Sequence, residues 1–94
     1  QTMTQRQIDA CIKAASLINV IYNAAINKKD NTLNGWIVIE SSPGPEVRID
    51  VIDTTKLISD TYLTIYYKKI KDKNLTSKNV ENAVKEALQA IEKY

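Results

Sequence analysis

The sequence has no histidine and no phenylalanine, and only one cysteine, two glycines and two prolines. Each scarcity excludes a class of chemistry. Without histidine, the chain lacks the side chain that most often serves as a neutral-pH general base and as a metal ligand. A lone cysteine, Cys11, forms no internal disulfide and no thiolate zinc cluster. Gly35 and Gly44 are too far apart to build a phosphate-cradling glycine loop. The longest apolar stretch, Ile8 to Ile26, contains Asp9, Lys13, Asn19 and Asn23, and is too polar to span a bilayer. No signal-peptide pattern is visible. These absences lead us to expect no metal, no cofactor, no membrane partner and no catalytic residues, that is, no enzyme.

What remains is ordinary in bulk and uneven in detail. Ninety-four residues at 44% hydrophobic and 26% charged make one folded domain, 1–94, with one modest core. The formal charge of +2 is too small for a dedicated nucleic-acid coat. It conceals an acidic island: residues 1–34 carry net +2, residues 35–60 net −3 and residues 61–94 net +3. Thirteen Ile and eight Asn suggest AT-rich coding, as in phages, mobile elements and low-GC bacteria. The chain starts at Gln1 with Met at position 3, which fits a two-residue extension or a leader removed before Gln1. A cytoplasmic location is the simpler expectation.

Pattern along the chain predicts the elements. Residues 4–27 read as a helix, with Thr4 and Gln7 at capping-box spacing. Its apolar residues form two adjacent stripes: Ile8, Cys11/Ile12, Ala15, Ile18, Tyr22 and Ala25/Ile26, and beside them Ala14, Leu17, Ile21 and Ala24. Lys28 and Lys29 suit the negative pole of its dipole. Asn34-Gly35 reads as a turn. Trp36 to Glu40 reads as a strand, with Trp36 and Val38 on one side and Ile37 and Ile39 on the other. Ser42-Pro43-Gly44-Pro45 has type II turn chemistry. Glu46 to Ile52 alternates as the second strand of a hairpin. Asp53-Thr54-Thr55 reads as a turn or helix cap. Residues 57–70 fit a third strand better than a helix, because Thr, Tyr and Ile are dense there. Asp72 to Leu75 reads as a polar loop. Residues 77–93 form a helix capped by Thr76 or Ser77, with Glu81 and Lys85 at favourable i,i+4 spacing.

The expected fold is therefore α+β, in the order α-β-β-β-α. A three-stranded antiparallel meander packs against a long N-terminal helix and a C-terminal helix, with α-β-β-α-α as the alternative. The order is similar to that of double-stranded-RNA-binding domains. That family's basic second-helix start and Gly-Pro loop are not matched, and the first helix is longer, so no family is assigned.

Few residues carry candidate chemistry. Cys11 lies on an apolar stripe without a base to activate it and reads as a small buried hydrophobe. Glu40 with Glu46, and Asp50 with Asp53, are the carboxylate pairs to weigh for acid–base work. Solvated strand ends whose charges discourage aggregation are the plainer account. Asn74-Leu75-Thr76 matches the glycosylation triplet, but Thr76 already has a role as a cap. Trp36, Glu40, Glu46, Arg48 and Asp50 make the expected partner-binding surface, an aromatic anchor within the acidic island. Tyr66, Tyr67, Lys68, Lys69, Lys71 and Lys73 make an alternative nucleic-acid-binding segment, with stacking aromatics beside basic side chains.

One surplus stands out. The first helix has more apolar face than one small sheet needs, and a second copy of the chain would cover it. The expected function is a small, dimeric, non-enzymatic protein that binds another protein. It would act by occlusion or sequestration, as phage- or mobile-element-type inhibitors and immunity proteins do. A nucleic-acid-binding module is the alternative, and a small-molecule binder at the dimer seam is a third reading.

Overall fold

A computed structural model describes residues 2–28 and 32–94 of the chain. Helix α1 (Gln5–Ile26) is followed by strands β1 (Leu33–Glu40), β2 (Glu46–Ile58) and β3 (Thr61–Lys71), and then by helix α2 (Ser77–Lys93). A single 3-10 turn (Asp72–Asn74) stands where the polar loop is expected. The strands form one open antiparallel sheet in the order β1-β2-β3. The fold is α+β in the expected order, and 57–70 is strand on both sides of a hairpin turn. No helix among the described residues is long and apolar enough to cross a membrane.

Local signals start both helices. The Thr4 hydroxyl accepts the Gln7 amide hydrogen at 3.1 Å, and the Gln7 side chain accepts the Thr4 amide hydrogen at 3.0 Å. Together they satisfy two donors that the first turn leaves unpaired. Thr76 caps α2 by accepting from the Asn79 amide at 3.1 Å. Lys28, expected at the end of its own helix, donates instead to the Glu92 carbonyl at the end of α2, at 2.7 Å. It thereby joins the two helix ends. Lys29 lies outside the described residues. Glu81 pairs with Lys13 of α1 at 3.2 Å rather than with Lys85, because the helices pack side by side.

Both helices lie on one face of the sheet. Gly35, Val51 and Tyr66 form one cross-strand row. α1 covers Gly35 with Ile21 and Ala25, and α2 reaches Tyr66 through Glu86. Between helices and sheet sits the core, where Ile21, Val47, Ile49, Val51, Leu75 and Val80 are fully buried. Each such side chain stabilises the fold by roughly 1.5–3 kcal/mol.

Three local expectations are corrected. Asn34-Gly35 is inside β1, not a turn. A Cβ on Gly35 would stand 3.0 Å from Ile21 and 3.3 Å from Ala25, so this glycine serves close helix approach. Gly44 has no positive φ, so the 41–45 connection is not a type II turn; it closes around a cis Ser42–Pro43 bond. Asp53-Thr54-Thr55 belongs to β2, which runs on to Ile58. The chain reverses instead at Ser59 and Asp60, with φ of 50° and 69°, a two-residue hairpin turn with both residues left-handed.

The long β2–β3 ladder outruns β1, whose pairing ends at Leu33 with Asp53. The hairpin therefore projects as an arm, with Leu57, Ile58 and Tyr62 exposed near its tip. At the base of this arm Asp53 is 2% exposed. Its carboxylate accepts from the Thr55 amide at 2.8 Å, from the Thr55 hydroxyl at 2.6 Å and from the Tyr94 hydroxyl. Lys56 lies 5.4 Å from the centre of the Tyr94 ring. These contacts tie the end of α2 to the sheet.

Candidate functional site

The face of the sheet away from the helices follows from strand alternation. In β2, Val47, Ile49, Val51 and Asp53 are buried under the helices. Glu46, Arg48, Asp50 and Ile52 therefore point to the open side. Register then sets what stands beside them. Trp36, Asp50 and Tyr67 form one row; Val38, Arg48 and Lys69 form the next; Glu40, Glu46 and Lys71 form the third. Neighbouring strands are about 4.8 Å apart, so Trp36 and Tyr67 flank Asp50 on either side, with their backbones about 10 Å from each other. All five expected partner-binding residues share this face.

Its electrostatics are balanced. Arg48, Lys69 and Lys71 face Glu40, Glu46 and Asp50 across three rows. Arg48 Nε donates to Asp50 Oδ2 at 2.8 Å along β2. That hydrogen bond pushes the guanidinium pKa further up, so Arg48 is charged throughout the working range. Glu40 and Glu46 stand directly opposite, a like-charge pair that costs stability in the isolated chain. Lys69 and Lys71 make no ion pair among the described residues. Trp36, Val38 and Ile52 are half-buried and Tyr67 is 50% exposed, which leaves aromatic and aliphatic surface in solvent between the charges.

The basic segment is divided between the two faces of the edge strand β3, and Lys73 lies apart from it. Tyr67, Lys69 and Lys71 join the open face, whereas Tyr66 and Lys68 pair with buried Val51 and Ile49 on the helix side. The Tyr66 hydroxyl donates to Glu86 at 2.8 Å, and burial raises its pKa well above the ordinary tyrosine value. Lys68 lines an open groove of about 460 Å³ with Asn79, Asn82 and Glu86, and Lys69 and Lys71 edge the same groove from β3. Lys73 lines a separate cleft of about 620 Å³ with Arg6 and Pro45. Strand alternation divides a run that looks continuous in sequence.

Of the two carboxylate pairs, Glu40 and Glu46 stay together and Asp50 and Asp53 separate. Asp50 is on the open face and Asp53 is buried on the other, so they cannot act on one substrate. Hydrogen bonds from the Thr55 hydroxyl, from Tyr94 and from the Thr55 amide hold the Asp53 carboxyl below the ordinary aspartate range. Asp53 is a structural group. Cys11 is half-buried against the core rather than fully buried, and desolvation pushes its thiol pKa up. Sequence reasoning left Val38 and Ile52 out of the candidate surface. The signal was present: each is out of phase with buried neighbours on its strand.

Against known proteins, the chain matches no family model, no curated protein and no solved structure.

Proposed function

We propose that this chain is a non-enzymatic protein-binding domain that works as a homodimer and docks its partner protein on the open face of the sheet. The observation that carries the reading is the register that gathers Trp36, Val38, Ile52 and Tyr67 among charges of both signs. An apolar, aromatic centre with a polar surround is the usual anatomy of a protein–protein interface. Trp36 is the anchor, being the type most enriched among residues whose truncation costs most binding energy. The Glu40–Glu46 corner fits a lysine or arginine of the partner, and docking there relieves the like-charge pair. Lys69 and Lys71 fit an acidic residue on the opposite edge.

The action is occlusion: the bound face of the partner is covered, as small inhibitor and immunity proteins do. A nucleic-acid reading draws on Tyr67 beside Lys69 and Lys71. Three carboxylates in the same rows repel a phosphate backbone, which favours a protein partner.

A photo-crosslinking residue at position 38, compared with one at Gln89 on the outer face of α2, tests the proposal in source cells. The expected result is a protein adduct of defined mass from position 38 alone, lost in a Trp36→Ala variant. Adducts only to nucleic acid, or the same adducts from both positions, would overturn it. Gel shifts with short RNA and DNA at low salt provide the second arm, and no binding is expected there.

A further inference from the structure

The core uses one side of α1 and leaves the other in water. Ala10, Ala14, Ile21 and Ala25 are fully buried. On the outer side, Ile8 is 37% exposed, Ile12 63% and Tyr22 44%. Ala15 and Asn19 are exposed between them, and Ile26 is half-buried. Positions 8, 12, 15, 19, 22 and 26 follow steps of four and three residues. That is the 3.5-residue repeat of a seam between two supercoiled helices. A helix lying on a flat sheet does not need it on its outer side. The seam carries no charge. From Ala10 to Ile26 the one charged residue is Lys13, which reaches across to Glu81 of α2.

We propose that this stripe is the dimer seam, occupied by α1 of a second copy running antiparallel. The proposal rests on the dimer reading above and gives it a place and a register. A charge-free stripe is compatible with itself, since self-docking juxtaposes no like charges. The antiparallel register opposes Ile8 with Ile26, Ile12 with Tyr22 and Ala15 with Asn19, each from the other copy. This pairing averages the extremes: Tyr22 meets the smaller Ile12, and Ala15 meets the larger Asn19. A parallel pairing would set Ala15 on Ala15 and Tyr22 on Tyr22, the thinnest and the thickest layers possible in this seam. Antiparallel helices also place opposite dipole ends together. The seam runs about 18 residues, or ~27 Å, a contact at the small end of specific interfaces. Reversible dimerisation is therefore expected rather than an obligate dimer.

Sedimentation equilibrium of the full chain over a wide concentration range tests this. Wild type is expected to dimerise reversibly, and Ile12→Glu to weaken the dimer by at least about tenfold with an unchanged circular dichroism spectrum. Wild type that is monomeric at every concentration would sink both the dimer and the seam. A dimer that Ile12→Glu leaves intact would keep the dimer and sink the seam. Register is read by oxidising a mixture of Ala15→Cys and Asn19→Cys chains, each also carrying Cys11→Ser. The mixed disulfide is expected to dominate. Disulfides only between identical chains, or none, would overturn the antiparallel register.

Discussion

The two helices lie side by side on the same sheet, yet their outer faces differ in kind. α2 turns Lys78, Asn79, Asn82, Lys85, Glu86, Gln89, Glu92 and Lys93 to solvent. α1 also exposes Gln5, Arg6, Asp9, Ser16 and Asn23, but between them it turns out the uncharged stripe Ile8, Ile12, Ala15, Asn19 and Tyr22. The inner faces differ as well. α1 is held by close approach, with Ala25 and Ile21 set against Gly35. α2 is held partly by polar ties, Glu86 to Tyr66 and Tyr94 to Asp53. The chain thus contains its own reference for a solvated helix face, and α1 does not meet it. Isolated exposed apolar residues are common on proteins, whereas a contiguous uncharged stripe marks a contact.

The largest expected effect falls on the close-packed side. Gly35→Ala puts a methyl group against Ile21 and Ala25 and is expected to cost about 1–3 kcal/mol. Urea unfolding measures it; an unchanged midpoint would mean that α1 does not depend on this approach. On the α2 side, Ile91→Val trims a buried side chain without crowding anything. Its expected cost is smaller, about 0.5–1.5 kcal/mol, in the same assay.

Tyr94→Phe probes the polar tie. The folded-state pKa of Asp53 is lowered, so its contribution is fully present above the unfolded pKa of about 3.9 and is lost as pH falls through the folded value. Wild type is therefore expected to melt higher than Tyr94→Phe at neutral pH. The gap should narrow as pH drops below about 4. A gap that is constant across that window would show that Tyr94 acts by packing alone.

The smallest effect on stability is expected at the outer faces, and there the comparison is sharpest. Ile12→Lys and Gln89→Lys should each change monomer stability by no more than about 0.5 kcal/mol. Light scattering should nevertheless separate them, since Ile12→Lys loses the dimer and Gln89→Lys keeps it. Equal behaviour of the two would erase the distinction between the helices.

Much of this was legible before the fold. Thr4, Gln7 and Thr76 declare the helix starts because capping is a local interaction. The alternation of Val47, Ile49 and Val51 declares a half-wet strand. The candidate face was legible in part, through Trp36, Glu40, Glu46, Arg48 and Asp50. Other features were hidden by chemistry that looks the same in two contexts. Asn34-Gly35 has turn composition, and only the presence of α1 above it makes the glycine a packing device. Ser59-Asp60 lacks the glycine that usually signals a tight hairpin turn, so the reversal was expected earlier, at Asp53-Thr54-Thr55. Asp53 reads as a surface acid until Thr55 and Tyr94 are seen to satisfy it.

The sequence by itself determined the order of elements, their caps and the surplus of apolar residues on α1, since each depends on neighbours within a few positions. Tertiary structure decided which stripe of α1 goes inward. Ile21 and Ala25 fit against Gly35, Ala10 and Ala14 are buried further along the same side, and Ile8, Ile12 and Tyr22 are left outside. It also decided the register that brings Trp36, Asp50 and Tyr67 into one row. Both choices are made by steric fit between residues far apart in the chain, and no local pattern records that fit.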